Sequence, residues 1–340
     1  MDNKTGVPVD SAPENIEIPQ KVKTVKVKNL LMLILLILVV AVMVFGFLYY
    51  RGKSPLENVQ PILTTTPPSF LYNIYEGQNK LDRPIMAAVY GNGTIYISNN
   101  SVHTIEVISR DGRSKKSFGG EGVLPGKLLY PYGIGFLPNG NLLVAETGNF
   151  RIQEFTARGE FVNTFLDQNN KIGLKKPGPI WVDSSGKIYI GDISGSQVFV
   201  LDQNAKVLRK IKNISFPHGI AVDEQNRRLF ISDAGQVNVK VFSLDKLDDR
   251  PITVIDTFLP GMRFTMVRGL AVDKRGRLYV TDTIFNTIRV FDKDLKYLFS
   301  FGEQGLGDGE FLYPNQIFID NKGKVYVTDW GNNRVQVWGY

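Results

Sequence analysis

The sequence has no cysteine and only two histidines among its 340 residues. It therefore has no disulfide, no thiolate metal site, no cysteine nucleophile and no three-histidine zinc site. Basic residues barely outnumber acidic ones, with 40 Lys and Arg against 33 Asp and Glu, which is not typical of a dedicated nucleic-acid-binding protein. The sequence also lacks a P-loop, a Gly-x-Ser-x-Gly elbow and a His-Glu-x-x-His motif.

One long apolar run stands near the start of the chain. Residues 30–50 contain no charged or strongly polar side chain, and Gly46 is their one interruption. A helix of this length spans roughly 32 Å, enough to cross the hydrocarbon core of a bilayer. The run is longer than the apolar region of a cleaved signal peptide, usually ~7–15 residues. The sequence therefore predicts an uncleaved transmembrane signal-anchor helix over residues 30–50.

The charges beside this run indicate its orientation. More cations precede it than follow it closely: Lys21, Lys23, Lys26 and Lys28 before, Arg51 and Lys53 after. Because positive residues stay on the cytoplasmic side, we predict a single-pass protein of the cell membrane with a cytoplasmic N-terminus. Residues 1–29 are predicted to be a disordered cytoplasmic tail. Residues 51–68 contain four prolines and form a Pro/Thr linker that holds an extracytoplasmic domain off the bilayer.

The rest of the chain repeats one pattern six times. The copies begin at Pro84, Pro131, Pro177, Pro217, Val267 and Pro314, with spacings of 47, 46, 40, 50 and 47 residues. Fixed periods of this length are typical of propellers and other repeat arrays. Each copy contains four short strands bounded by turn residues, which is the content of one propeller blade.

The sixth copy lacks a fourth strand. It stops after its third strand, near residues 335–338, whereas residues 70–75 form a strand that belongs to no copy. Pairing these two strands would complete the last blade and remove an exposed sheet edge. We therefore predict an all-β protein over residues 69–340, a six-bladed β-propeller of four-stranded blades closed by an N-terminal strand.

The repeated residues resemble the NHL-repeat family. The pattern Pro-x-Gly-Ile-Ala-Val-Asp, then Tyr-Val-x-Asp, then Asn-x-Arg-Val is carried best by Pro217–Asp223, Leu278–Phe291 and Tyr326–Val337. Two copies depart from it, since Asn99 replaces the acid in the first and Gln197 replaces the arginine in the third. The resemblance, here to a membrane-anchored member, implies a six-bladed propeller used mostly for binding.

An acidic residue ends the second strand in five copies: Glu146, Asp192, Asp233, Asp282 and Asp329. Each opens a tight loop, so its carboxylate can accept loop N–H bonds or pair with a basic residue five positions on, such as Arg151 or Arg334. Because the acid recurs in one register, we interpret these residues as structural blade acids and not as a calcium ring.

The residue after each proline differs from copy to copy. In a propeller this position surrounds one mouth of the central channel, and variable residues on a fixed scaffold are where binding would be specified. The candidate binding residues at this mouth are Tyr132, His218, Arg268, Asn315 and, from a loop on the same face, His103. The alternative is a solvated mouth without a ligand.

The residues give little support to a metal site. His103 and His218 without a placed carboxylate make a weak zinc site, and amidating-lyase propellers use more histidines than this chain has. Lactonase-type propellers hold calcium with acid and Asn ligands, for which Glu146 or Asn315 could serve, although no spacing singles them out. The sequence therefore predicts no catalytic residue, no metal and no cofactor.

Three aromatic residues lie in loops on the same face: Phe150, Phe285 and Trp330. If they were exposed, they would suit a protein or glycan contact. We expect instead that they pack between adjacent blades.

Together these features favour a binding module. We predict a membrane-tethered extracytoplasmic binding or scaffold module that presents one propeller face to a protein or a cell-envelope polymer. The alternative is a calcium-dependent lactonase- or lyase-type propeller enzyme with its site in the central channel. Some propellers of the NHL family bind RNA, but nucleic acid is not expected as a partner because the predicted topology places this propeller outside the cell.

Overall fold

The computed structural model describes residues 66–110, 112, 115–246 and 248–340, together with Met32, Leu35, Leu38 and Val40. Contacts within the chain divide it into two units, Met1–Thr64 and Thr65–Tyr340. The predicted cytoplasmic tail, and most of the predicted membrane helix and linker, lie outside the described residues. Within the described part of the chain, no helix is both long enough and apolar enough to cross a membrane.

The described residues of the second unit form six four-stranded antiparallel sheets. The unit begins with β1 (Ser69–Ile74). Blade one contains β2 (Pro84–Tyr90), β3 (Thr94–Asn99), β4 (Thr104–Ile108) and β5 (Lys115–Gly119). Blade two contains β6 (Pro131–Phe136), β7 (Leu142–Glu146), β8 (Arg151–Phe155) and β9 (Phe161–Leu166). Blade three contains β10 (Pro177–Val182), β11 (Ile188–Asp192), β12 (Gln197–Leu201) and β13 (Val207–Lys212).

The second half of the unit continues the pattern. Blade four contains β14 (Pro217–Asp223), β15 (Arg228–Asp233), β16 (Asn238–Ser243) and β17 (Thr253–Ile255). The short strands β18 (Thr257–Leu259) and β19 (Met262–Arg263) follow as a hairpin. Blade five contains β20 (Val267–Val272), β21 (Leu278–Asp282), β22 (Thr287–Phe291) and β23 (Tyr297–Phe301). After the parallel pair β24 (Glu303–Gln304) and β25 (Glu310–Phe311), blade six contains β26 (Pro314–Ile319), β27 (Val325–Asp329), a 3-10 turn (Trp330–Asn332) and β28 (Arg334–Gly339).

The N-terminal strand closes the last blade. Strand β1 pairs antiparallel with β28, and Ile74 lies opposite Val335 while Phe70 lies opposite Trp338. The rings of Phe70 and Trp338 meet edge to face with centroids 5.9 Å apart. The predicted six-bladed propeller and its closure by an N-terminal strand are therefore confirmed.

The first strand of each blade lines the centre of the ring, where neighbouring strands approach closely. A Cβ atom on Gly219 would lie 2.1 Å from the carbonyl oxygen of Arg268 in the next blade, so only glycine fits there. The backbone N–H of Gly219 donates to Oγ of Ser232 at 2.6 Å. In blade five the equivalent hydroxyl, on Thr281, donates to the carbonyl oxygen of Asn315 in blade six at 3.0 Å. The Pro-x-Gly repeat and this hydroxyl thus join blades at the ring centre.

The apolar core lies between the blades. All five residues of β7 are buried, because both faces of this strand pack on neighbouring sheets. One cluster includes Ile134, Leu142, Val144 and Phe155 of blade two together with residues of blade one. The core thus holds the blades as a ring and leaves functional variation to the loops and the channel.

Candidate functional site

The blade acids bind the loop that leads into their own blade. Oε2 of Glu146 accepts the backbone N–H of Leu129 at 3.0 Å, and its Oε1 accepts Nε of Arg151 at 2.7 Å. Asp329 repeats this arrangement, with the N–H of Leu312 at 2.7 Å and Nε of Arg334 at 2.8 Å. Charge-assisted hydrogen bonds of this kind are stronger than hydrogen bonds between neutral groups, so each acid holds its loop in place.

Two blades use a cation at a different position. Lys240 pairs with Asp233 at 2.7 Å and Arg289 with Asp282 at 3.1 Å, seven residues after the acid instead of five. Residues five and seven positions on share one face of the third strand, because side chains alternate along it. A long basic side chain at either position can therefore reach the same carboxylate.

Asp192 has no cationic partner among the described residues. Its carboxylate accepts the backbone N–H groups of Lys175 at 3.0 Å, Lys176 at 2.9 Å and Gly195 at 2.9 Å. Gln197 stands where other blades have arginine and lies 3.3 Å from Oδ2. The carboxylates of this register are thus occupied by the backbone and side chains of the propeller itself.

Side chains from three different blades meet at the predicted channel mouth. The hydroxyl of Tyr132 in blade two and Nδ1 of His218 in blade four share a hydrogen bond of 2.6 Å. Nε2 of Gln316 in blade six donates to the carbonyl oxygen of His218. Tyr132 and Asn315 are only 7% and 1% exposed. Both side chains are therefore shielded from water, and Tyr132 makes its contact with a residue from the next blade but one.

The electrostatics keep the Tyr132–His218 pair neutral. Burial lowers the pKa of His218 to about 4, and the nearby cations Arg268 and Lys176 act in the same direction. Burial raises the pKa of Tyr132 to about 12, against the opposing effects of Arg268 and Gln316. Near neutral pH the imidazole therefore carries no charge and the phenol keeps its proton.

His103 is not part of this cluster. Its Nδ1 accepts the backbone N–H of Tyr130 at 3.0 Å, so the ring proton lies on Nε2. The same position of later blades holds Asn286, which accepts the N–H of Tyr313, and Asn333, which accepts the N–H of Arg83. His103 thus braces one blade against the next. The shared position immediately before the third strand was the sequence signal for this role.

The channel does not fit the calcium of the alternative lactonase-type function. Among the described residues, no three His, Asp or Glu side chains come together as a possible metal site. Glu146 is committed to Leu129 and Arg151. The buried Oδ1 of Asn315 has no hydrogen-bond partner in the described structure, but its strand packs beside the strand that carries the cation Arg268. Because no acidic cluster stands beside Asn315 within the described residues, we assign no catalytic step to a metal.

Large apolar side chains are exposed on one face of the ring. We call this the loop face: it contains the loops between blades and the loops between second and third strands. Its exposed apolar residues are Val123, Leu124, Tyr130, Phe150, Phe216, Ile284, Phe285, Leu306 and Tyr313. Phe150 and Phe285 are 42% and 58% exposed, so the expectation that they pack between blades is wrong for both. Trp330 is half-buried and lies 5.1 Å from the guanidinium of Arg83.

Four of these aromatic residues have a left-handed backbone. The φ angles are 51° for Tyr130, 54° for Phe150, 54° for Phe216 and 53° for Tyr313. This region favours glycine and asparagine, and a bulky residue there costs about 1–3 kcal/mol. Tyr130, Phe216 and Tyr313 stand directly before the proline that begins a blade, and Phe150 stands directly before a third strand, so these left-handed turns recur with the repeat.

Six four-stranded blades around a channel that is bridged at one mouth define a six-bladed β-propeller. The chain belongs to the SMP-30/gluconolactonase/LRE-like family, which matches residues 91–300. A further family, described as "6-bladed beta-propeller", matches residues 267–339. The family match runs from the second strand of blade one to the fourth strand of blade five and includes Tyr132, His218 and Arg268.

Several known proteins are similar to this chain in sequence or in fold, and one of them is named for its NHL repeats. Human NHL repeat-containing protein 3 is 30% identical over 177 residues, which are 46% of this chain and 50% of that protein. The chain spans half or less of the length of the first curated relatives it matches. A gluconolactonase structure from Xanthomonas campestris superposes with a TM-score of 0.62 and 15% identity, over 81% of this chain and 95% of that one. A nidogen/laminin complex matches with a TM-score of 0.52 and 18% identity, over 64% and 79%. These structures show the fold.

Proposed function

We propose that this chain is a membrane-tethered, extracytoplasmic binding module whose loop face docks on a protein partner. The observation that carries the proposal is the set of exposed apolar residues on this face, including Phe216 at 53% and Leu306 at 74% exposure. Large apolar side chains exposed together on one face of a domain are typical of protein-interaction sites. The tether is the predicted helix over residues 30–50, which holds the propeller at the outer surface of the membrane.

The backbone at these residues supports the same assignment. Asparagine or glycine would relieve the left-handed strain at Phe150 and Phe216, yet both positions carry a large aromatic ring directed to solvent. Strain of this kind collects at functional sites, where the side chain has a use that offsets its cost. Aromatic residues are also enriched in the energetically dominant part of protein interfaces.

The experiment separates binding from folding at two of these positions. Phe150→Asn and Phe216→Asn should leave the melting temperature unchanged or raise it, because asparagine tolerates the left-handed conformation. Both should reduce the protein recovered when the chain is used as bait in a solubilised envelope fraction. Leu208→Asn, at a 41% exposed residue of the outer strand β13, is the matched control and should bind normally.

Equal recovery with all three variants would overturn the proposed face. Retention of envelope polysaccharide instead of protein would replace the protein partner by a polymer. A fall in melting temperature for Phe150→Asn alone would show that this ring supports the fold.

A second candidate is a channel enzyme of the lactonase or lyase type. The match to the SMP-30/gluconolactonase/LRE-like family favours it. Against it, Glu146 is committed to structural bonds and Tyr132 and His218 bridge the mouth. Calcium analysis combined with a gluconolactone hydrolysis assay decides between the two. One tightly bound calcium per chain, lost together with turnover on chelation, would favour the enzyme.

A further inference from the structure

A large cavity occupies the end of the channel opposite Tyr132 and His218. Its volume is 1060 Å³, and its wall includes Trp181, Val272 and Ile319, which lie at or near the ends of three innermost strands. Turns between first and second strands form its rim, mainly residues 272–277 and 319–324. We call this end the turn face. Its position at the far end of each innermost strand separates it from the proposed partner face.

The cavity leads to an apolar part of the channel. A second cavity of 230 Å³ is lined by Met86, Phe136, Phe318 and other apolar side chains. Trp181 and Ile319 belong to the walls of both cavities. This part of the channel can therefore take up a hydrocarbon or aromatic group that has left water.

The rim carries more positive than negative charge. Five cations line it, Lys274, Arg275, Arg277, Lys322 and Lys324, against three acids, Glu224, Asp273 and Asp320. Each acid already has a structural role. Glu224 accepts the N–H of Ser184 at 2.8 Å, Asp273 accepts Nε of Arg277 at 2.7 Å, and Asp320 accepts the N–H of Lys322 at 2.9 Å.

Several positive or donor groups of this cavity are left without an acceptor. Within the described residues, the side-chain ammonium groups of Lys274 and Lys322 make no hydrogen bond or ion pair. In the wall, the buried NH1 of Arg277 and Nε1 of Trp181 also have no partner in that part of the chain. Arg277 is only 5% exposed and is held under the ring of Tyr340, 4.5 Å away. Buried donors without acceptors are rare in folded proteins, and a ligand is one explanation for them.

We propose that the turn face binds an anionic amphiphile, a molecule with an apolar body and a carboxylate or phosphate head. The body enters the apolar part of the channel, and the head lies at the rim between Lys274 and Lys322. Both parts are needed. A small anion without a body gains only exposed ion pairs, which are individually weak. A neutral apolar molecule leaves the ammonium groups unmatched.

Decanoate is the probe, titrated calorimetrically into the full chain in nanodiscs of zwitterionic lipid, with empty nanodiscs subtracted. We expect saturable binding of one decanoate per chain, weaker binding of decanol and no saturable binding of citrate. Lys274→Ser/Lys322→Ser should weaken decanoate binding about fivefold, the loss of two exposed ion pairs, and should reduce its salt dependence. Val272→Phe, which fills part of the cavity, should weaken decanoate and decanol alike.

Lys171→Ser/Lys175→Ser is the matched control, because it removes the same charge from exposed positions on the loop face. It should bind decanoate as the unmodified chain does. Saturable binding that anionic nanodiscs suppress identifies a membrane lipid as the natural source, and binding that they leave unchanged identifies a soluble one. The proposal is overturned if decanoate does not saturate, or if the Lys274/Lys322 variant binds it with unchanged affinity.

Discussion

The hydroxyl of Tyr132 lies 2.6 Å from Nδ1 of His218, although these residues belong to blades two and four. Together with Gln316 from blade six, they place a hydrogen-bonded bridge across one mouth of the channel. The two ends of the channel therefore differ. The bridged end lies within the loop face with its exposed aromatics, and the other end opens into a cavity with a basic rim.

The bridge predicts a dependence of stability on pH. The pKa of His218 falls from 6.5 to about 4 on folding, mainly because the ring is buried. Between these values the unfolded chain binds a proton that the folded chain does not. Stability is therefore full above pH 6.5 and falls as the pH decreases toward 4, by about 3 kcal/mol for this group.

The measurement is urea unfolding at several pH values from 7.5 to about 4. Carboxylates also contribute in this range, so the comparison is with His218→Gln, which keeps polar atoms but does not titrate. The difference in slope between the two chains isolates the imidazole. Parallel curves would show that His218 is not held neutral by the fold.

A second prediction concerns the buried ion pair of blade five. Asp282→Ala leaves Arg289, which is 6% exposed, without its carboxylate. It should lower the free energy of unfolding by about 3–5 kcal/mol. Asp192→Ala removes an acceptor that faces backbone N–H groups and an amide, and should cost less, about 1–3 kcal/mol. Equilibrium unfolding of both variants checks the order. In the double variant Asp282→Ala/Arg289→Met, part of the lost stability should return; if it does not, the uncompensated charge is not the cause.

The sequence predicts the fold more completely than it predicts the site at the channel mouth. The blades were predictable because Pro217, Gly219 and Asp233 recur in register, and each acts on neighbours within its own blade or the next. The bridge between Tyr132 and His218 could not be predicted in this way. These residues are 86 positions apart in the sequence, and they meet only when the blades are arranged in the closed ring. Considered alone, His103 suggested a binding residue or a metal ligand. Comparison with Asn286, at the same position of blade five, shows its bracing role.

A third prediction concerns closure of the ring. A chain that starts at residue 66 keeps β1, whereas one that starts at 78 lacks it and exposes the edge of β28. Val335 and Val337 of that strand are fully buried in the closed ring. An open edge of this kind promotes pairing between chains, so the shorter chain should aggregate and melt at a lower temperature. Size-exclusion chromatography and thermal melts of both chains test this, and identical behaviour would mean that β1 does not hold the ring closed.

The last prediction concerns topology, on which the proposed extracytoplasmic role depends. Protease added to intact cells, or to spheroplasts where an outer membrane is present, should digest the propeller while a cytoplasmic marker protein stays intact. The lysine excess before residue 30 is the predicted determinant of this orientation. Moving the positive charge to the other side of the apolar run should therefore place the propeller on the other side of the membrane. Replacing Lys21, Lys23, Lys26 and Lys28 by Ser, with lysines added after Tyr50, should protect part of the propeller population from protease. A propeller that is protected in the unmodified chain, or released as a soluble form starting near residue 51, would exclude the tethered arrangement.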